Sequence, residues 1–218
     1  MRWGRDMHEK FIALDQVKRD KIINVAMQEF ARKGFKKAST NEIVQKAEIS
    51  KGALFHYFSS KWDLFEFLCT YSIDIFSKTT HREIKELPSD LFERHRAILI
   101  SKCTIIAQYP LIFEFLISVQ NDEDARVQKY INDVHEQNSE HLMQEIYSDI
   151  DTSKFNPDIG IEKSLQIICW TLEGFVQSKK KTVDFQKIRD ADSLKASVEQ
   201  AIDEINEYLD ILKKIFYK

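Results

Sequence analysis

The stretch Thr40-Asn41-Glu42-Ile43-Val44-Gln45-Lys46-Ala47-Glu48-Ile49-Ser50-Lys51-Gly52-Ala53-Leu54-Phe55-His56-Tyr57-Phe58 decides the fold. Thr40 ahead of Ile43, Val44 and Ala47 predicts an N-cap and a short helix. Glu48-Ile49-Ser50 breaks it, and Ser50 caps a second short helix over Lys51–Phe58. Two short helices joined by a three-residue turn form a helix-turn-helix. In such a unit the first helix crosses the DNA backbone and the second enters the major groove. Thr40 and Ser50, at helix N-termini, are expected to bond phosphate. Lys51, Ala53 and Leu54 are expected at base edges, and His56, Tyr57 and Lys61 on the DNA backbone. Gly52 removes a side chain where the duplex approaches.

Outward from this core the chain reads as helices throughout. Upstream, Ile22, Ile23, Ala26, Met27 and Phe30 form a stripe at helical spacing within Gln16–Lys33, ended by Gly34. Downstream, a helix with Trp62, Leu64, Phe65, Phe67 and Leu68 runs toward Leu87, where Pro88 stops it. Residues 1–66 hold 13 Lys+Arg against 9 Asp+Glu, a net +4. Residues 67–218 hold 19 against 26, a net −7, and the two sum to the overall −3. A basic N-terminal part on an acidic body can meet phosphate while the body stays in solution.

The run Thr40–Ile43, Ala47–Phe58 and Ser60-Lys61-Trp62-Asp63-Leu64, with Phe30, Gly34 and Phe35 upstream, resembles the tetracycline-repressor (TetR) family. The resemblance covers about residues 17–68. It implies a cytoplasmic homodimeric transcription factor, usually a repressor. Such a factor binds a palindromic operator as double-stranded DNA and is released by a small ligand held in the C-terminal domain. One position departs from the family pattern: Glu48 stands where the family usually has glycine. A turn conformation natural to glycine is entered by Glu48 at some cost. The domains expected are a DNA-binding part at 1–66 and a ligand-binding, dimerising part at 67–218.

The C-terminal part has no motif of its own. Asp90 caps a segment through Phe92 and Cys103, Pro110 starts a shorter apolar helix, and 148–157 reads as a connection. The last helix has a sustained apolar face at Val198, Ile202, Ile205, Leu209 and Leu212. By resemblance the last two helices pair across a two-fold axis, which makes those residues, with Leu165 and Leu172, candidates for a dimer interface. The same face serves equally for packing within its own domain. Phe92, Cys103, Phe113, Phe115, Leu116, Met143, Trp170 and Phe175 are candidates for the wall of an effector pocket suited to an apolar or amphipathic molecule. Ordinary core is the alternative for each.

Composition excludes other classes. Gly is 5 and Pro 3 in 218 residues, too few turn residues for a β-sandwich or barrel. No phosphate-binding glycine loop occurs. The fold class expected is therefore all-α. Cys69, Cys103 and Cys169 sit among apolar residues as free thiols do, and no apolar run reaches membrane-spanning length. The six histidines show no i,i+4 pair, so no metal and no cofactor are expected. No catalytic constellation emerges from the spacing, and the chain is not expected to be an enzyme. Lys179-Lys180-Lys181 reads as a solvated helix C-terminus. Met1–Leu14, with Arg2, Arg5 and Lys10, reads either as a basic arm touching DNA or as a loose end. The alternative function is a helical ligand-binding or interaction protein whose DNA binding has weakened.

Overall fold

The computed structural model describes residues 8–84, 87–182 and 191–218, with side chains outside 79–84, 107, 135–145, 180–182 and 191–195. Among the described residues the regular structure is all helical. It comprises α1 (Gln16–Lys37), α2 (Thr40–Ala47), α3 (Lys51–Tyr57), α4 (Lys61–Ile84), α5 (Leu91–Gln108), α6 (Pro110–Gln120), α7 (Ala125–Tyr147), α8 (Ile161–Thr182) and α9 (Ala191–Phe216). A helical turn at 8–12 precedes α1, and a single 3-10 turn, Thr152–Lys154, lies between α7 and α8. The chain divides into two compact units. One runs to Lys78 and takes in Leu111–Ser139; the other comprises Thr79–Pro110 and Glu140–Lys218. The boundary therefore differs from a single break at residue 66: α4 continues through that position, and α6 with most of α7 joins the N-terminal unit.

In the first unit the α1 stripe of Ile22, Ile23, Ala26, Met27 and Phe30 is buried, together with Ile43 and Ala47 of α2, Leu54 of α3, and Leu64, Phe65 and Leu68 of α4. Edge-to-face rings fill the rest. Phe30, Phe35 and Phe115 all meet Phe65, at centroid distances of 5.3, 5.1 and 5.9 Å. A second aromatic cluster ties the turn at 8–12 to α3 and α4. Phe11 is fully buried, 4.8 Å from Phe58, 5.2 Å from Phe67 and 5.6 Å from Tyr57. Arg126 of α7 stacks 3.7 Å over the Trp62 ring of α4. Gly34 leaves helical geometry (φ 69, ψ 166), so the regular part of α1 ends there.

In the second unit α5, α8 and α9 enclose a core of Leu91, Phe92, Ile168, Leu209, Leu212 and Phe216, closed by Phe155 from the connection. Asp90 caps α5, accepting the N–H groups of Phe92 and Glu93 at 3.0 and 3.2 Å. Arg96 of α5 reaches Asp210 of α9 at 2.6 Å and Asn206 at 2.7 Å. The buried Arg94 donates to the carbonyls of Pro88, Ile146 and Ser148, at 2.7, 2.8 and 2.5 Å, and so fixes the C-terminal end of α7.

Three of the candidate interface residues are corrected here. Ile205, Leu209 and Leu212 are buried within their own unit. The apolar stripe left in solvent lies beside theirs, at Tyr208, Ile211 (54% exposed) and Ile215 on α9, with Ile167 and Trp170 on α8. Leu165, Leu172, Val198 and Ile202 are half-buried. The sequence pattern failed because α9 is apolar over a band wide enough to serve both an inner and an outer face.

Candidate nucleic-acid interface

The helix-turn-helix is assembled by its connections. Glu29 of α1 is buried, and its carboxylate accepts the Ser39 N–H at 3.0 Å and Lys33 Nζ at 2.9 Å, with Lys46 Nζ 3.9 Å away. Burial pushes this carboxyl up. The Lys33 and Ser39 hydrogen bonds and the charges of Lys33 and Lys46 outweigh burial and hold it below its usual range. Ser39, not Thr40, caps α2, its Oγ accepting the Glu42 N–H at 3.5 Å. Thr40 is the first helical residue of α2, half-buried. Capping fell one residue earlier than expected because the extended backbone a cap requires (φ −114, ψ 118) is at Ser39.

The turn between α2 and α3 passes through Glu48 in the left-handed region, at φ 56 and ψ 43. Its N–H reaches the carbonyls of Gln45 and Val44, and the Ile49 N–H reaches Val44 O at 3.0 Å, closing the end of α2. The Glu48 carboxylate meets Lys21 Nζ at 2.7 Å. That hydrogen bond, then the Lys21 charge, lowers the carboxyl's pKa. Lys21 thus offsets the negative charge at the corner. Ser50 caps α3 by accepting the Ala53 N–H at 3.0 Å, which leaves its hydroxyl hydrogen to donate outward.

The residues of α3 separate cleanly by face. Leu54 is 1% exposed, with Phe58 just beyond the helix buried beside it. Leu54 therefore holds α3 to its unit and does not face bases, a correction: the i,i+4 pair of Leu54 and Phe58 marks the inner side. Lys51, Gly52, Phe55 and His56 make the outer face. Ala53 and Tyr57 lie at its margins, half-buried. The Tyr57 ring sits 5.2 Å from His56 and 5.6 Å from Phe11. Phe55, 37% exposed, was missed by sequence reasoning. Counting outward from Leu54 and Phe58 would have found it.

Lys61 is the second correction. Its Nζ donates to the carbonyls of Phe35, Lys36 and Ala38, at 2.8, 3.2 and 3.1 Å. An ammonium has three N–H bonds. All three close the turn after α1, and none remains for phosphate.

The candidate pocket residues are divided between the two units. Phe115 lies in the core of the first unit, with Phe113 and Leu116 half-buried on the same helix. Phe92 lies in the core of the second, 4.8 Å from Tyr217. Trp170 is 61% exposed and so is no cavity wall, a correction. Its helical face points outward with Ile167. Cys103 is half-buried, its thiol pushed up to about 11 by burial and, more weakly, by Glu199 against Lys102. Phe175 is half-buried 5.7 Å from Tyr208. Met143 lies outside the residues whose side chains are described. Sequence reasoning also passed over His95. Its Nε2 is buried without a hydrogen-bond partner among the described residues, and its ring lies 5.8 Å from Tyr147. Burial, then the charges of Lys102 and Arg94, pushes its pKa down to about 4, so it is neutral at physiological pH.

Comparison with known proteins agrees with this geometry. Residues 22–68 match the family model of bacterial regulatory proteins of the tetR family. No curated protein sequence matches the chain. A TetR family transcriptional regulator from Chloroflexus aurantiacus J-10-FL is 19% identical. The match covers 96% of this chain and 98% of that one, with a TM-score of 0.62. The ketosteroid transcriptional regulator KstR2 of Mycobacterium tuberculosis is also 19% identical, over 94% and 97%, with a TM-score of 0.58. The transcriptional regulator FadR from Bacillus subtilis, solved in complex with stearoyl-CoA, is 17% identical over 84% and 96%, with a TM-score of 0.56. Identities at this level establish a shared fold. Among the described residues no single helix is long and apolar enough to cross a membrane.

Proposed function

We propose that this chain, which carries the tetR-family DNA-binding segment at residues 22–68, is a ligand-responsive transcriptional repressor. It acts in the cytoplasm, without a catalytic role. It binds a palindromic operator as a homodimer and is released by a small apolar or amphipathic effector. The observation that carries the reading is the outer face of α3. Lys51, Gly52, Phe55 and His56 are presented together while Leu54 fastens the helix from behind. Thr40, Ser50 and Tyr57 flank that face and supply hydroxyls for phosphate. DNA contact belongs to residues 1–66, and effector binding and dimerisation to 67–218.

The stripe of Ile167, Trp170, Tyr208, Ile211 and Ile215 supports dimerisation, because large apolar side chains aligned on two helices favour a partner surface. The half-buried Leu165, Leu172, Val198 and Ile202 border it. Solved proteins of the same fold named for ketosteroid regulation or holding stearoyl-CoA support an apolar or amphipathic effector. Such an effector acts by binding better to a protein conformation that does not fit the operator.

The test is fluorescence anisotropy against DNA from upstream of the chain's own gene across a salt series, with steroid and acyl-CoA as competitors. Tight, salt-sensitive binding with two protomers per site, relieved by a competitor, is the expected result. Binding no tighter than to scrambled DNA would overturn it.

A further inference from the structure

In the second unit the ring of His95 on α5 holds a polar atom that the fold does not use. Its Nε2 is buried and meets no hydrogen-bond partner among the described residues. A buried donor or acceptor left unpaired is costly, and an apolar side chain of the same shape would remove that cost. The surroundings of the ring are polar and ordered. It lies 5.8 Å from the ring of Tyr147 at the end of α7. Burial, above all, keeps the Tyr147 phenol protonated, and its O–H donates to Cys169 Sγ on α8. Cys169 in turn donates to Glu173 Oε1 at 3.4 Å. The donors of this relay run toward Glu173, so none of them serves Nε2, and the Tyr147 oxygen keeps acceptor lone pairs beside it.

The charge of the site narrows what can complete it. Burial, then the charges of Lys102 and Arg94, keeps the His95 ring neutral at physiological pH. Nε2 therefore offers one N–H or one lone pair, not a charge. The two cations that act on the ring are already engaged. Arg94 donates to the carbonyls of Pro88, Ile146 and Ser148, and Lys102 is also engaged within the chain. A carboxylate brought to Nε2 would lose its hydration without gaining a free cation from either of them. A hydroxyl is both donor and acceptor, so it satisfies Nε2 in either tautomer. We infer that His95 is an effector-binding residue, whose Nε2 hydrogen-bonds an uncharged hydroxyl carried by the apolar or amphipathic effector. This rests on the effector reading above, and goes beyond it by naming the residue that fixes the effector and the polar group it selects.

The experiment uses the full chain, with its histidines labelled with nitrogen-15, and two probes of equal chain length, decanol and decanoate. Calorimetric titration at neutral pH is expected to show tighter binding of decanol, and decanol is expected to shift the His95 Nε2 resonance. His95→Leu is expected to bind decanol roughly tenfold more weakly, the equivalent of one hydrogen bond. Its melting temperature at neutral pH is expected to match or exceed that of wild type, because no unpaired nitrogen remains. His95→Gln, which restores an uncharged donor and acceptor, is expected to recover part of the affinity. Equal decanol binding by wild type and His95→Leu, or an Nε2 resonance that decanol does not move, overturns the inference, a bound water then being the partner of the ring. Tighter binding of decanoate with proton uptake at His95 overturns the choice of a hydroxyl, and failure of wild type to bind either probe overturns the inference outright. Release of the protein from DNA by steroid or acyl-CoA is measured alongside. Release that persists beside any of these failures leaves the effector reading standing, and no release by steroid, acyl-CoA or decanol overturns both readings.

Discussion

The carboxylate of Asp122 accepts the backbone N–H of Phe35 at 2.6 Å, joining the corner between α6 and α7 to the turn that ends α1. Its other oxygen accepts the Asp124 N–H at 2.9 Å, and its carbonyl accepts Gln128 Nε2 at 2.6 Å. Gly34 is required there twice over. Its φ of 69° suits glycine, and a Cβ would stand 3.2 Å from the Asp122 oxygen. The carbonyls of Phe35, Lys36 and Ala38, which receive Lys61, are presented from this same turn.

Asp122→Ala is expected to lower the free energy of unfolding by about 1–3 kcal/mol, the effect of stranding partly buried N–H groups that a charged acceptor had satisfied. Asp122→Asn, which keeps one carbonyl oxygen, is expected to lose less. Urea denaturation followed by far-ultraviolet circular dichroism measures both.

Lys61→Met keeps the aliphatic stem and removes three hydrogen bonds to backbone carbonyls. A loss of roughly 1.5–3 kcal/mol is expected from bonds made by a charged group. The slope of log affinity for DNA against log salt is expected to stay as in wild type. A decrease in that slope by about one phosphate's worth would mean that Lys61 leaves the turn to meet DNA.

His95 and Glu29 both contribute to the acid limb of stability, in different windows. His95 has its folded pKa depressed from 6.5 to about 4. The unfolded chain therefore binds the extra proton first, and stability contributed by the neutral ring is present above 6.5 and lost as pH falls toward 4. Glu29 is depressed below 4.5, so its contribution is present above that value and lost as pH falls through the lower folded pKa. His95→Leu is expected to flatten the stability profile between pH 6.5 and 4, and Glu29→Gln to flatten it below 4.5 while lowering stability at neutral pH. Urea midpoints across that range separate the two.

Trp170→Ser combined with Ile211→Ser is expected to shift the proposed dimer to monomer while leaving helical content unchanged, because both side chains are exposed within one chain. Sedimentation equilibrium reads the association directly. An unchanged dimer would remove this stripe as the interface.

The existence and order of the helices followed from local chemistry in the sequence. The caps at Ser50 and Asp90, the stop at Gly34 and the apolar spacing on α1 all act within a turn or two of chain. What was not legible depended on distant chain. Lys61 reads as a phosphate ligand until the turn after Gly34 brings three carbonyls to it. Leu54 and Phe55 are adjacent apolar residues, and only the packing of α3 on its unit decides which one faces out. The glycine-like turn at Glu48 was legible from its position, but its charge partner, Lys21, lies 27 residues upstream and was not. On α9 the outward stripe of Tyr208, Ile211 and Ile215 adjoins the inward one of Ile205, Leu209 and Leu212. Period alone cannot rank two such stripes.

The division of the chain bears on how such a protein can be taken apart. The polypeptide passes from one compact unit to the other after Lys78, back after Pro110, and across again after Ser139. No single truncation or fusion point therefore releases either unit whole. A fragment ending at Lys78 would lack Phe115, and with it one ring of the Phe30 and Phe65 cluster. Recombination at one junction would join an incomplete first unit to a foreign second one. Chimeras that keep both units whole need three seams, at Lys78, Pro110 and Ser139.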